Sequence, residues 1–472
     1  MSNVKKNSKE LIKNSLIILL GKGSTQFIVF LMLPLYTYVL STSEYGTMDL
    51  ITTYVTLLAP LISLQLENAI FRYLIDNRND EQNIKYYISS GMFCLLILMV
   101  IGFCGINVVS YFCNIQYGSY LSVLVIITMF SNYFLSIIRG LGKNIEYAKG
   151  SIITGIISVI CNLVLLLIFK FGIVGVFISQ IVSNIVCCIY CLWKMDLLSI
   201  IKIKYFSKSI MITQLRYSLP LVPNSINWWI INASDKTLVS LFLGTSFNGI
   251  YSVSNKFSAA YIAVYNIFNL SWAESASLHI DDDDKDEFFS TTFNNMYKIF
   301  YCLAIMLVTF LPFVFNILVD SKYIESYKYI PFLIFGSILN VIVGLLSGIY
   351  IAKKLTKEVA ITSLFAAIIN VITNFLIIKK VYIWAAVIST IIAFGTMTIY
   401  RFIDVRKYLK LKVDYKFLLI SIVLYIVVTF VYLKNIFLLN ILNLLLCTGI
   451  SIMFNWNAIV LLKETFLKKI KK

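Results

Sequence analysis

Apolar stretches of about 20 to 30 residues succeed one another along this chain, each long enough as a helix to cross a hydrocarbon core of about 30 Å. Short polar or charged segments separate them, and the pattern predicts an all-α integral membrane protein with about fourteen transmembrane helices. The first seven spans cover residues 15–40, 47–70, 86–109, 119–138, 147–169, 173–193 and 213–243. The second seven cover 249–273, 288–319, 329–352, 359–378, 382–400, 417–433 and 436–462. Some spans carry polar residues at helical spacing. In the second, Asp49, Thr53, Thr56, Pro60, Ser63 and Glu67 recur in steps of three and four, which sets them on one face that cannot look at lipid. The seventh has Asn224, Trp228, Asn232 and Asp235 in line, with Lys236 beside the carboxylate. The first offers Lys22 and Gln26, and the eighth offers Asn255, Lys256, Tyr265, Asn266 and Asn269.

Composition and charge agree with a bilayer. Of 472 residues 59% are hydrophobic and only 13% charged, with a mean hydropathy of +0.85, too little polar surface for a soluble globule of this size. An even number of spans puts both termini on one side. With that side cytoplasmic, about 30 of the 40 basic residues fall in inside segments and about 6 in outside loops, as the positive-inside rule requires. The net charge of +17 therefore follows from topology and attraction to membrane lipids, with no nucleic-acid partner. The expected location is a cytoplasmic membrane, with both termini on its inner side. The first apolar segment is longer than a signal-peptide core and lacks a small-residue cleavage site, so it reads as a span.

The halves repeat. YVLSTSEYGTMDL from Tyr38 aligns without gaps to LFLGTSFNGIYSV from Leu241, matching Thr42 to Thr245, Ser43 to Ser246 and Gly46 to Gly249. Weaker matches join Asn162 to Asn374 and Ser179 to Ser389. Two six-helix bundles, 1–200 and 201–412, related by a parallel internal repeat, with two helices and a basic tail at 413–472, are the expected organisation. A substrate is expected in the cleft between bundles.

Lysines inside apolar spans need a reason, because a buried ammonium is costly in a bilayer. Lys22, Lys236 and Lys256 point to a basic lumen for an anionic ligand such as a pyrophosphate, with Gln26, Asn224, Trp228, Asn232, Asn255 and Asn266 beside them for sugar hydroxyls. Asp49, Glu67 and Asp235 are candidates for coupling to an ion. The same groups can instead neutralise one another within the packing, for example Lys256 against Glu67 or Asp49, and Lys298 can snorkel to the headgroups. Tyr36, Tyr38, Tyr323, Tyr327 and Tyr329 read as interfacial anchors. Cys187, Cys188 and Cys191 lie along one helix without the partners of a metal site and read as small packing residues. His279 and the acidic run Asp281 to Glu287 read as a solvated loop without calcium-loop spacing. Nothing resembles a phosphate-cradling glycine loop, so neither a catalytic centre nor a cofactor or metal is expected. A cation-drug extruder would want excess carboxylate in its lumen, and a membrane polymerase or glycosyltransferase a large outer loop.

Two segments carry a resemblance. LSTSEYGTMDL from Leu40 and YSLPLVPNSINWWIINASDKTLVSLFLGTSFNGIYSVSNKF from Tyr217 are similar to signature regions of bacterial polysaccharide-export flippases, the Wzx-type oligosaccharide translocases. The likeness extends over nearly the whole chain. It implies the fold shared with multidrug and toxic-compound extruders and with lipid-linked peptidoglycan precursor flippases. It also implies a V-shaped, two-bundle transporter moving an undecaprenyl-diphosphate-linked repeat unit to the outer leaflet, with polysaccharide polymerase and glycosyltransferases as partners. Lys22, Lys236 and Lys256 match its cationic lumen positions. Lysine where arginine is common favours a point-charge contact over bidentate clamping.

Overall fold

The computed structural model describes residues 30–456 and 460, apart from the side chains of Asn224, Trp228, Ile231, Asn232, Leu270 and Thr356. All elements are helical and the described residues contain no strand, because a segment in lipid must satisfy every backbone N–H and C=O internally. The helices are α1 (Leu33–Val39), α2 (Thr42–Ile62), α3 (Leu66–Asp76), α4 (Glu81–Phe112), α5 (Gly118–Gly140), α6 (Asn144–Leu163), α7 (Gly172–Lys194), α8 (Lys208–Ser218), α9 (Val222–Leu243) and α10 (Thr245–His279). They continue as α11 (Lys285–Leu318), α12 (Ile330–Ala352), α13 (Thr356–Val381), α14 (Trp384–Val405), α15 (Tyr415–Lys434) and α16 (Phe437–Phe454). Ten candidate spans among the described residues are long and apolar enough to cross a membrane, and α2 with α3 makes an eleventh if taken as one bent span. By contact the chain divides into two compact units, Met1–Gly249 and Ile250–Lys472.

In the first unit α2 opens with a capping box: Ser41 Oγ accepts from Glu44 N–H, and the Glu44 carboxylate accepts from Ser41 N–H at 2.9 Å. It stops at Ile62. Pro60 removes one rung of the ladder, and Leu64 and Gln65 take positive φ values of 51° and 61°, so α3 restarts at an angle of 54° to α2. The second span is therefore a broken helix, and its polar stripe does not continue straight from Pro60 to Glu67.

The two copies of the Thr-Ser-x-x-Gly motif meet. Thr42 Oγ1 and Ser246 Oγ share a hydrogen bond of 2.7 Å, Ser43 Oγ and Thr245 Oγ1 share another of 2.7 Å, and Asn248 Nδ2 donates to Gly46 O at 2.8 Å. The two hydroxyl pairs are reciprocal across the repeat. A Cβ on Gly46 would overlap the Thr245 carbonyl oxygen and one on Gly249 the Thr42 carbonyl oxygen, so glycine at both places lets the two backbones touch.

In the second unit α14 packs on α12 and α13, and α11 packs on α12, α15 and α16. Buried tyrosines fasten these helices through their hydroxyls: Tyr301 donates to Ser421 O and Tyr425 to Pro331 O, both at 2.7 Å. Tyr38 is exposed as an interfacial anchor would be, but Tyr323 and Tyr329 are buried and Tyr327 stacks on Tyr432 with centroids 4.1 Å apart. Packing claims these three because they lie on or beside a 3₁₀ segment, 321–329, that folds against the body of the unit. His279 ends α10, stacked on Phe288 at 4.2 Å, and is not in a loop.

Candidate functional site

The charged centre of the first unit is an ion pair. Lys236 Nζ on α9 lies 2.7 Å from Asp49 Oδ2 on α2, with the two side chains 16% and 5% exposed. One turn of α2 below, Thr53 donates its hydroxyl to the Asp49 carbonyl at 2.7 Å and lends its own carbonyl to Trp229 Nε1 at 3.1 Å. Trp229 also stacks on Tyr54. Trp229 and Lys236 are seven residues apart and share a face of α9, so α2 and α9 meet through an indole contact and an ion pair two turns apart. Asp235, next to Lys236 in sequence, is buried about 100° round the helix. The partner of Lys236 that the structure shows is thus Asp49, and not its neighbour. Such a pair leaves little net charge, and removing either member strands the other at a cost of about 3 to 5 kcal/mol.

A second polar cluster lies at the α2–α3 break. Ser63 Oγ donates to Glu67 Oε2 at 2.8 Å and accepts from Gln65 N–H at 3.2 Å. Gln65 Nε2 donates to Ser225 Oγ, and Asn68 Nδ2 donates to Gln65 Oε1. Glu67 sits in the first turn of α3, where the helix dipole favours a carboxylate. The bend separates it from the Asp49–Lys236 centre, so the carboxylates that the sequence places on one stripe occupy two environments.

Of the other candidates, Lys22 and Gln26 lie outside the described residues. Asn224, Trp228 and Asn232 are on α9 by position. Asn255 and Lys256 are half-buried on α10, and Asn266 is exposed on the same helix. Lys298 is half-buried, 3.1 Å from Asp414 and over the Phe417 ring at 5.2 Å, so a carboxylate and an aromatic face receive it where the sequence suggested headgroups. Among the described residues no three His, Cys, Asp or Glu side chains gather as a metal site would require.

Sequence reasoning missed Arg401. It is 1% exposed on α14, with Nε donating to Thr362 Oγ1 at 3.1 Å, Nη1 to Val343 O at 3.2 Å and to Ser347 Oγ, and Nη2 to Val359 O at 3.3 Å and Ser363 Oγ at 3.3 Å. Three helices are tied by one guanidinium. Its place at the end of an apolar run made it look like an inside-loop cation; the signal that would have separated it is the flanking Tyr400, Phe402 and Ile403, which continue the helix past it. Gln65 and Ser225 were missed because neither belongs to the polar line read in its span, Gln65 being one of the two positive-φ residues at the break.

Known proteins share this architecture. An inward-facing multidrug resistance MATE family transporter of the MOP superfamily superposes with a TM-score of 0.67 at 14% identity, over 81% of this chain and 95% of that one. The lipid II flippase MurJ, in an inward closed conformation, gives 0.65 at 17% identity over 96% and 99%. A MOP superfamily transporter from Pyrococcus furiosus Vc1, described as having a binding pocket of reversed polarity, gives 0.56 at 14% identity over 84% and 95%. At these identities the likeness establishes the fold. No curated protein matches the sequence. Residues 11–272, more than half of the chain, match the family described as polysaccharide biosynthesis protein, and the chain belongs to that family.

Proposed function

We propose that this protein is a flippase carrying undecaprenyl-diphosphate-linked oligosaccharide repeat units from the inner to the outer leaflet of a bacterial cytoplasmic membrane, for a surface polysaccharide such as O-antigen or capsule. The family match over 11–272 carries the reading, and the shared fold of a flippase named for lipid II supports it. Segments 1–200 and 201–412 are the proposed moving bodies, with 413–472 appended. Glycosyltransferases before it and a polymerase after it are the proposed partners.

Lys22, Lys236 and Lys256 are the proposed cations for the diphosphate, and the amides and the indole named with them are the proposed partners for the sugars. The Asp49 pairing gives Lys236 a specific part. A phosphate competes with the Asp49 carboxylate for the Lys236 ammonium, and a coupling proton or metal cation competes with that ammonium for Asp49, so substrate and ion favour each other's binding. Moving two negative charges outward across an inside-negative potential of 100 mV gains roughly 4 to 5 kcal/mol, at about 2.3 per charge. Extrusion of drugs is the competing reading, supported by the MATE likeness. What opposes it is that the spans carry Lys22, Lys236 and Lys256 without an excess of carboxylate, Asp49 being paired with Lys236.

The test measures surface polymer and lipid-linked repeat units on the cytoplasmic face in cells lacking the protein and in cells carrying Lys22→Gln, Lys236→Gln and Lys256→Gln together. Loss of polymer with intermediate trapped inside, in both strains, is expected. Normal polymer in the null strain would sink the flippase reading, and normal polymer in a correctly inserted triple variant would remove the lysines from the mechanism.

A further inference from the structure

Two short segments share an alternating apolar and basic pattern, Ile201-Lys202-Ile203-Lys204 and Leu409-Lys410-Leu411-Lys412. The second runs along the start of α11 and bonds to it at alternate residues. Lys410 N–H donates to Asp286 Oδ1 at 3.0 Å, Lys412 N–H to Ser290 Oγ at 2.9 Å and Asp414 N–H to Asn294 Oδ1 at 2.9 Å, while Asn294 Nδ2 returns a bond to Lys412 O at 2.8 Å. Asp286, Ser290 and Asn294 are four residues apart, so they form one row along the helix. The row holds the segment in register, with Leu409 buried and both lysines exposed. The first segment is held similarly in its own unit, where Ser89 Oγ donates to Ile200 O at 3.0 Å and Ser90 Oγ accepts from Ser207 N–H at 2.9 Å.

Beside the second segment is an open hollow of about 570 Å³ lined by Arg406, Lys410, Lys412 and Tyr415, with Leu411 and Val413 between them. Its lining contains three cations and no carboxylate. Asp414 is paired with Lys298 and Asp404 with Lys407 at 2.7 Å, while Asp286 lies behind the segment, where its carboxylate accepts from the Lys410 N–H. From Tyr415 an apolar stripe continues up α15 through Leu419, Val423, Ile426 and Phe430, each at least 60% exposed. Cations at one end of an uncovered apolar stripe fit a ligand with a charged head and a hydrocarbon tail, which a soluble phosphate lacks.

We propose that this hollow binds the phosphate headgroup of an anionic membrane phospholipid, whose chains lie along α15. Arg406, Lys410 and Lys412 neutralise the phosphate, and the helix row behind them keeps the lysines spaced for it. The inference does not depend on what the protein transports.

The full-length protein, purified in detergent, is titrated with phosphatidylglycerol and separately with phosphatidylcholine, and bound lipid is counted by native mass spectrometry. Phosphatidylglycerol is expected to bind in preference. Lys410→Gln with Lys412→Gln is expected to weaken it about 25-fold, at about fivefold for each cation removed. Lys353→Gln with Lys354→Gln, which removes two cations elsewhere in the unit, is expected to leave it within about twofold. Arg406→Gln, a single change at an exposed side chain, gives a second reading of about fivefold if the double variant does not fold. Equal losses in the two double variants, or no loss in the Lys410 and Lys412 pair or in Arg406→Gln, would overturn the site. Displacement of phosphatidylglycerol by an equal concentration of inorganic pyrophosphate would overturn its assignment to a lipid.

Discussion

Each unit buries a cation, and the two are neutralised by different means. Lys236 in the first unit faces a carboxylate, Asp49, at 2.7 Å. Arg401 in the second is surrounded by neutral oxygens, the hydroxyls of Thr362, Ser363 and Ser347 and the carbonyls of Val343 and Val359, drawn from α12 and α13. The guanidinium spends its fixed fork of donors on the fold and has none left to offer. The ammonium is held by one carboxylate. The arginine is thus fixed by many neutral acceptors and the lysine by a single charged one. The helices differ as well: α14, which carries Arg401, runs unbroken, while α2, which carries the lysine's partner Asp49, gives way to a 54° bend at Ser63 to Gln65.

The largest effect is expected at Asp49. Asp49→Ala strands a buried ammonium and should cost about 3 to 5 kcal/mol, seen as a lower temperature for loss of the monodisperse peak in size-exclusion chromatography. Adding Lys236→Met should restore most of it, because a hydrophobic pair can replace a buried ion pair. If single and double variants melt alike, the pair does not hold α2 to α9. Arg401→Met is the matching change in the second unit; it removes the charge along with its donors, and about 1 to 3 kcal/mol is expected in the same assay. Arg401→Lys should do no better, since it keeps the charge but loses the fork. A loss at Arg401 exceeding that at Asp49 would reverse the comparison.

The smallest effect is expected where a pair is half in water. Asp414 heads α15, and its carboxyl is held below the usual range by the Phe417 N–H and then by Lys298. A carboxyl whose pKa is lowered by folding contributes stability that is present above its unfolded value of about 3.9 and is lost as pH falls through the lower folded value. Its side chain is 40% exposed, so screening keeps Asp414→Asn under about 1 kcal/mol at neutral pH. The difference between variant and parent should shrink as pH is taken below about 4, and a difference that persists there would point to the amide's geometry and away from charge.

Much of the fold was legible from local pattern. Apolar length predicted the helices, and the Thr-Ser-x-x-Gly repeat singled out the two places that pack on each other through Gly46 and Gly249. Helical spacing also put Asp49 and Thr53 on a face that the structure buries. It failed at the break, because two residues with positive φ are a tertiary compromise and neither Leu64 nor Gln65 is a residue that announces one. Arg401 escaped for a related reason: whether a cation at the end of an apolar run meets water or protein depends on helices far away in sequence.

By itself the sequence determined that the chain is a helical membrane protein with a motif repeated in its two halves, since bilayer thickness, backbone satisfaction and the repeat are properties read along the chain. Only the tertiary structure decided the partners of the charges. Lys236 has a carboxylate beside it in sequence and another 187 positions away, and it takes the distant one because side chains at successive helical positions diverge while helices α2 and α9 bring theirs together.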